Sequence, residues 1–196
     1  MKNIGIKDFT KAGKSLLFMV ALLVALAVAW FIADNLASRP EKVDIEACIV
    51  AEAAKNDVPP SLVRAIIWRE SKFEPQTIGK AKEIGLMQIT PGAVEDWCKA
   101  NKRRKPSKRR LFKPSLNIEI GTWYLAQAGR HWEGYKSKEI LQISEYNAGY
   151  GNVSKKWKPK SPEIEVKLSD ITIASTRNYV ETVLQKKAEF EKKETK

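Results

Sequence analysis

The stretch IIWRESKFEP, residues 66–75, places a carboxylate where a helix should carry an apolar residue. Upstream apolar residues follow the i, i+1, i+4, i+5 spacing that makes one buried stripe on a helix. They are Leu62, Val63, Ile66 and Ile67. The next position on the stripe is Glu70, and Pro75 requires the helix to end soon after it. The sequence therefore predicts a carboxyl group at a helix end, facing the core, where partial desolvation raises its pKa.

The composition is that of a folded, strongly basic chain. Its 196 residues give room for one domain with appendages. Hydrophobic residues make up 43% and charged residues 30%, which is an ordinary balance for a folded protein. The net charge of +12 predicts attraction to an anionic partner, such as nucleic acid, a lipid surface or a wall polymer. The sign of the charge does not select among these partners.

Residues 16–33 form an apolar segment, LLFMVALLVALAVAWFIA, that contains no charged residue. As a helix it would span roughly 27 Å at about 1.5 Å per residue, close to the thickness of the bilayer hydrocarbon. Lysines outnumber acids before the segment, and acids outnumber basic residues over 34–46. The positive-inside rule therefore places the N-terminus in the cytoplasm and the rest of the chain across the membrane.

These features predict a single-pass protein of the inner (cytoplasmic) membrane with its main domain on the periplasmic side. Residues 1–15 are then the cytoplasmic N-terminus, 16–33 the transmembrane signal-anchor helix and 34–42 a linker. A cleaved signal peptide is the alternative, because AVA at 27–29 has the small-x-small form of a peptidase site. The apolar run continues past that site, which favours the anchor. Both alternatives export the following domain.

Export changes the interpretation of Cys48 and Cys98, because disulfides form in oxidising compartments. A bridge between them would close a loop of about 50 residues and add about 4 kcal/mol in the chain-entropy model. Two buried free thiols are the alternative. Two cysteines and one histidine form no recognisable zinc-binding set, so we interpret His131 as a packing or surface residue. We predict neither a metal nor a cofactor.

Helical patterns account for most of the exported domain, and strand patterns are scarce. The predicted helices cover 43–56, 60–70, 91–102, 115–132 and 137–149, with a last helix from about Thr176. Thr90 is the expected N-cap of the third helix, and Ser115 or Asn117 is the expected start of the fourth. Residues 76–89 and 154–170 are interpreted as irregular connections. The sequence thus predicts a mostly α single domain over residues 43–185. A charged tail, 186–196, is expected to fray.

Five pieces of the exported domain, in the right order, resemble the catalytic domain of soluble lytic transglycosylases, glycoside hydrolase family 23. They are IIWRESKFEP at 66–75, IGLMQITP at 84–91, LFKPSLNIEIGTWYL at 111–125, EYNAG at 145–149 and TRNYVETVL at 176–184. The resemblance extends over about residues 43–185, essentially all of the exported domain. The resemblance implies a lysozyme-like α(+β) fold.

The resemblance also implies a reaction. Such enzymes cut the β-1,4 bond between N-acetylmuramic acid and N-acetylglucosamine in peptidoglycan and leave a 1,6-anhydro ring. Glu70 matches the family's single catalytic acid/base. Its protonated carboxyl would donate to the glycosidic oxygen, which requires a raised pKa near neutral pH. A conventional glycosidase needs a second carboxylate, whereas here the sugar's own 6-hydroxyl is the nucleophile.

Several side chains near the matched motifs are candidate substrate contacts. They are Ser71, Met87, Gln88, Tyr146, Asn147 and Tyr179. The amides of Gln88 and Asn147 can both donate and accept with N-acetyl and hydroxyl groups, or else satisfy buried backbone groups. Met87 offers a flexible apolar contact to a sugar ring. Plain core packing is the alternative for Met87 and Tyr179.

The sequence departs from the family pattern in the loop after the first motif. Thr77 and Gly79 stand where the family usually has Ala and Ser, which removes one hydroxyl near the reacting sugar. Glu83 stands where a small residue is common. A second carboxylate there would raise the pKa of Glu70 or hold a water, as in a lysozyme. The alternative is a solvated loop charge.

The run KRRKPSKRRLFK, residues 102–113, holds eight basic residues and no acid. It is interpreted either as a docking surface for anionic lipid, wall polymer or a protein partner, or as a solvated loop. Nucleic acid is not expected, because the run lacks interleaved aromatic residues and the domain is exported.

The function that the residues predict is a peptidoglycan lytic transglycosylase acting on glycan strands. The alternatives are a lysozyme-type muramidase and a non-catalytic wall-binding module of a secretion machine. An intact Glu70 together with the GLMQI and YNAG pieces favours an enzyme. The expected partners are peptidoglycan, the membrane through the N-terminal helix, and secretion or cell-wall machinery.

Overall fold

The computed structural model describes residues 19–20, 22–29 and 44–194, and the chain divides into two units, 1–42 and 43–196. In the first unit, the described residues are helical and exposed. No helix among the described residues is long and apolar enough to cross a membrane. The predicted anchor over 16–33 lies partly outside the described residues and stays a prediction.

The second unit is built from helices, with longer connections over residues 72–90 and 157–167. The helices are α1 (Ile45–Asn56), α2 (Pro60–Ser71), α3 (Pro91–Ala100), α4 (Lys108–Leu111), α5 (Pro114–His131), α6 (Lys138–Ala148), α7 (Tyr150–Lys156), a 3₁₀ turn (Leu168–Asp170) and α8 (Ala174–Glu194). Within residues 44–194 the β structure is limited to two isolated antiparallel bridges, at Ile78–Ile84 and Ile84–Ile89. The prediction of a mostly α fold is confirmed.

Local sequence signals set several helix ends. The Thr90 hydroxyl caps α3 by accepting the Ala93 N–H at 3.1 Å, as predicted, and Pro91 occupies the first turn. Helix α5 begins at Pro114, earlier than the predicted Ser115 or Asn117, because proline suits a position whose N–H has no helical partner. The predicted connection 154–170 is also shorter, since α7 extends to Lys156.

The charged tail does not fray over residues 186–194, so that prediction is wrong. These residues continue α8, which packs along α2. The Ser61 hydroxyl donates to Glu191 at 3.1 Å, and the rings of Phe73 and Phe190 meet edge to face at 6.4 Å. Contacts with a second helix stabilise a sequence whose charge pattern alone gives little stability.

Helix α2 carries its apolar stripe into the centre of the core. Its five buried hydrophobic residues are Leu62, Val63, Ala65, Ile66 and Ile67, each at most 1% exposed. The helix packs against α1 and α8, and α5 packs against α1, α3 and α6. Burying one large aliphatic side chain contributes about 1.5–3 kcal/mol, so this packing holds the end of α2 in a fixed place.

Both cysteines are free thiols, so the disulfide alternative is not what the structure shows. Cys48 is half-buried on α1, and Cys98 is buried on α3 within the core. Helix α3 packs on α5, whereas α1 packs on α2 and α5, which places the two thiols in different helix contacts. Burial, followed by the nearby acids Asp44 and Glu52, raises the pKa of the Cys48 thiol.

Candidate active site

Glu70 lies at the last turn of α2, where the sequence predicts it. The helix ends at Ser71, and Lys72 takes a left-handed conformation with φ of 54°. The Glu70 side chain is partly buried, and its Oε1 accepts a hydrogen bond of 2.6 Å from the hydroxyl of Tyr179 on α8. The tight packing of α2 on α8 therefore brings together two residues that are 109 positions apart.

The surroundings of Glu70 favour its protonated form. Burial raises its pKa to about 6, and the negative charge of Glu83 acts in the same direction. The hydrogen bond from Tyr179 and the positive charge of Arg69 oppose this increase. The guanidinium of Arg69 lies 5.2 Å from the centre of the Tyr179 ring. Glu70 can therefore hold a proton in weakly acidic solution and lose it close to neutrality.

A narrow loop, residues 84–89, lies next to the end of α2. Backbone hydrogen bonds of 3.1 Å in both directions between Ile84 and Ile89 close it. Gly85 has φ of +77°, and a Cβ atom at this position would overlap the Asn117 side chain. The loop therefore needs glycine for its conformation and for its close approach to α5.

Asn117 on α5 organises this loop, and the sequence reasoning treated it only as a possible helix start. It is fully buried. Its Oδ1 accepts the Met87 N–H at 2.8 Å, and its Nδ2 donates to the carbonyls of Ile84 and Leu111 at 2.8 Å each. The signal that could have identified it is a polar residue placed directly between the apolar residues Leu116 and Ile118.

Two of the candidate substrate contacts instead bind parts of the protein. Ser71 is buried, and its hydroxyl lies 2.8 Å from the carbonyl of Leu86, which ties the end of α2 to the loop. Met87 is fully buried, with its sulfur 3.7 Å from the Thr122 hydroxyl. Both residues thus support the site from within the core, which agrees with the packing alternative for Met87.

Three further candidates, Gln88, Tyr146 and Asn147, line a cleft beside the loop, whereas Tyr179 contacts Glu70. A cavity of about 290 Å³ is lined by Gln88, Ile89, Thr90, Ala93, Tyr124, Tyr146, Asn147, Ala148 and Gly149. The Tyr146 hydroxyl donates to the Met87 carbonyl at 2.8 Å. The Gln88 amide donates to the carbonyls of Gly85 and Thr77 at 2.8 and 3.2 Å, whereas Asn147 is exposed.

Tyr146 also connects this cleft electrostatically to Glu70. Burial raises the pKa of its phenol well above the usual value, and the charge of Glu70 raises it further. Tyr179 shows the same pattern. Two neutral phenols therefore lie beside the carboxyl group.

Glu83 is neither free in solvent nor paired with a lysine. It is half-buried, and its Oε2 accepts the Ala81 N–H at 2.9 Å. A Cβ atom at Gly79 would overlap this carboxylate and lie 2.6 Å from Gln88 Oε1. The Glu83 carboxylate therefore fills the space that a side chain at position 79 would take, which the sequence alone did not indicate.

The basic residues of 102–113 are exposed, and α4 forms part of this stretch. Lys105 pairs with Glu95 at 2.7 Å. Both interpretations of the stretch stay open. Among the described residues, no group of three or more His, Cys, Asp or Glu side chains is arranged to hold a metal ion.

The family model for the transglycosylase SLT domain matches residues 47–167. The chain belongs to this family, as its motifs predict.

Two curated relatives are named as membrane-bound lytic murein transglycosylases. Membrane-bound lytic murein transglycosylase C of Actinobacillus pleuropneumoniae serotype 5b (strain L20) is 35% identical over 109 residues, which are 53% of this chain and 30% of the relative. Membrane-bound lytic murein transglycosylase E of Buchnera aphidicola is 31% identical over 98 residues, which are 49% of this chain and 44% of the relative. The chain thus spans less than half the length of each relative.

Solved structures agree with the family. An inactive mutant of lytic transglycosylase Slt from Pseudomonas aeruginosa superposes with a TM-score of 0.68 at 27% identity, covering 76% of this chain and 24% of that chain. The 70 kDa soluble lytic transglycosylase of Escherichia coli has a TM-score of 0.64 at 27% identity, covering 72% and 23%. The lysozyme-like helical fold of the second unit is therefore shared with these structures.

Proposed function

We propose that the domain formed by α1 to α8 is a peptidoglycan lytic transglycosylase. It cleaves the β-1,4 bond between N-acetylmuramic acid and N-acetylglucosamine, with Glu70 as the single acid/base. The observation that carries this proposal is the Glu70 carboxyl, which is partly buried at the end of α2 and has a pKa of about 6. Its charge acts on Tyr146, which lines the cleft. The names of the relatives support the substrate class.

The reaction consumes no water, and the enzyme neither gains nor loses a proton over the full cycle. Protonated Glu70 gives its proton to the glycosidic oxygen while the bond from that oxygen to the anomeric carbon breaks. The resulting Glu70 carboxylate then takes the proton of the 6-hydroxyl, whose oxygen forms the new bond to the anomeric carbon. One carboxyl group serves both steps, and it ends protonated as it began.

Neighbouring groups position the carboxyl and the sugars. The Tyr179 hydroxyl fixes one Glu70 oxygen and leaves the other for the glycosidic oxygen. Asn147 is exposed on the cleft wall and can bind an N-acetyl group. The Gln88 amide nitrogen is committed to two backbone carbonyls, so its contribution to the substrate is through its oxygen or through the shape of the loop.

Hydrolysis is the second candidate, and the position of Glu83 favours it. This half-buried carboxylate lies close enough to Glu70 to raise its pKa, and it could hold a water that attacks the anomeric carbon. The bond from Ala81 N–H already occupies its Oε2, so we propose the water-free reaction as the main one.

Mass analysis of the sugar products separates the two reactions. The purified domain should release mostly 1,6-anhydro ends, which are lighter by one water than reducing ends. Glu83→Ala should leave the anhydro fraction high, and Glu74→Ala is the matched control because Glu74 is an exposed acid of the same region. Mostly reducing ends that shift towards anhydro ends in Glu83→Ala would identify a lysozyme instead.

We also propose that residues 16–33 anchor the domain to the inner membrane, with the domain on the periplasmic side. The uncharged segment and the lysines before it support this proposal. Full-length protein should stay with membranes through a high-salt wash and keep its N-terminus. A soluble mature form that begins near Trp30 would show a cleaved signal peptide.

A further inference from the structure

A buried carboxylate that the proposed reaction does not use lies on α6, one residue before Tyr146. Glu145 is only 3% exposed. Its Oε1 accepts from His131 Nδ1 at 2.7 Å, and its Oε2 accepts from Trp132 Nε1 at 2.7 Å. A carboxylate is costly to bury without donors, and here both of its oxygens have one. Glu145 therefore fixes the positions of two neighbouring aromatic rings.

One of these rings reaches the surface and meets a second exposed aromatic side chain. The His131 side chain is 46% exposed, although its Nδ1 is held by Glu145. Tyr150 is 51% exposed, and its ring centre lies 4.8 Å from that of His131. Tyr150 also lies 6.0 Å from the buried Trp132 ring. We name the exposed pair, His131 and Tyr150, the aromatic platform.

The aromatic platform lies next to the cleft lining along the chain. Ala148 and Gly149 line the cavity beside Asn147, and Tyr150 is the next residue in the chain. Glu145, which fixes His131, is the residue before Tyr146 of the same cavity wall. Tyr124, which also lines the cavity, lies seven residues before His131 on α5, so both side chains share one face of that helix. A linear ligand that runs from the cavity along this face would reach the platform.

We propose that the aromatic platform is an additional sugar-binding subsite, which takes one sugar ring of the glycan strand beyond those in the cavity. The inference rests on the proposed function, because it assigns a further part of the same substrate. A pyranose ring presents C–H groups on its faces, and the electron-rich face of an aromatic ring attracts them. The platform suits this neutral ring better than an anion, since Glu145 lies directly behind it. Glu145 is a positioning residue that acts through His131.

Calorimetric binding of two probes tests the subsite in the Glu70→Gln background, which does not consume them. The probes are a trisaccharide and a hexasaccharide of β-1,4-linked N-acetylglucosamine. Tyr150→Ala should weaken hexasaccharide binding about two- to tenfold and leave trisaccharide binding unchanged. Tyr150→Phe should bind both probes like the parent, because the ring remains. Ile164→Ala is the matched control, since Ile164 is 49% exposed and lies outside the cleft lining.

The same comparison of trisaccharide and hexasaccharide binding tests the role of Glu145. Glu145→Gln keeps an acceptor for Trp132 and replaces the oxygen that accepts from His131 by a donor. Glu145→Gln should weaken binding of the hexasaccharide only, and its melting temperature should stay close to that of the parent. A purely structural role would weaken both probes together.

The outcomes distinguish the subsite from the proposed function. If Glu70→Gln binds neither probe, the subsite proposal is wrong, and turnover of peptidoglycan by the wild type tests the proposed function separately. If the parent binds both probes and Tyr150→Ala binds them equally well, the platform is not a subsite while the proposed function stands. An equal loss for both probes would place Tyr150 in the main cleft and contradict an additional subsite.

Discussion

Glu70 and Glu145 are both carboxylates on core-facing helix positions, and they differ in what surrounds their second oxygen. Both oxygens of Glu145 accept short hydrogen bonds, from His131 and Trp132. Glu70 accepts one, from Tyr179, and no donor within residues 44–194 contacts its Oε2. Fully bonded oxygens fix neighbouring rings, whereas an open oxygen on a partly desolvated carboxyl is available for proton transfer.

The largest expected effect is the loss of activity when the Glu70 carboxyl is replaced. Glu70→Gln should reduce peptidoglycan turnover at least about a hundredfold, because the amide keeps the shape and cannot transfer the proton. Release of soluble muropeptides measures this. Glu74→Gln, which changes an exposed acid nearby, is the control. Near wild-type turnover by Glu70→Gln would show that another group is the acid.

The second largest effect concerns the contribution of Glu145 to the stability of the fold. Glu145→Leu should lower the free energy of unfolding by about 1–3 kcal/mol, because the Trp132 N–H loses its acceptor inside the core. Urea titration measures the loss. Trp132→Phe removes the donor itself, although it also leaves a cavity, so the double variant should be less destabilised than the sum of the two single changes. A double variant that is less stable by the sum of both changes would show that the hydrogen bond is not the cause.

Unlike Glu145→Leu, Glu70→Gln should raise the free energy of unfolding at neutral pH. The pKa of Glu70 is raised by folding from 4.5 to about 6, so its stabilising contribution is complete below 4.5 and is lost as the pH rises through 6. The amide does not ionise. The variant should therefore match the wild type in acid and exceed it by up to about 2 kcal/mol well above pH 6. Equal stabilities at both pH values would contradict a raised pKa.

The smallest effects sharpen the account of why Glu70 titrates where it does. Tyr179→Phe removes a hydrogen bond that lowers the pKa of Glu70, so the alkaline limb of the pH–rate profile should move to higher pH. Glu83→Ala removes a charge that raises this pKa, so the limb should move to lower pH. Shifts of the same sign in both variants would mean that another group controls this limb.

The sequence predicted the position of Glu70 because the signals are local. An apolar stripe of fixed spacing and a proline after it determine where α2 ends and which face is buried. The Thr90 cap and the mostly α fold follow from similarly local signals and are confirmed. The roles of the site residues stay proposals.

The features that the sequence did not predict depend on contacts between distant residues. Asn117 binds Ile84 across 33 positions, and Glu145 binds His131 across 14. The Glu83 carboxylate fills the space above Gly79 only because the loop folds back on itself. Neither periodicity nor composition reports such pairs, and the stable end of α8 likewise depends on α2.

The most direct test of the central claim is a carbon NMR titration of the Glu70 carboxyl in the wild-type domain, assigned by comparison with Glu70→Gln. A raised pKa caused by burial predicts a midpoint at about 6. That result would support Glu70 as a group that holds a proton and gives it up close to neutral pH. A midpoint near 4.5, the ordinary value for glutamate, would contradict the account.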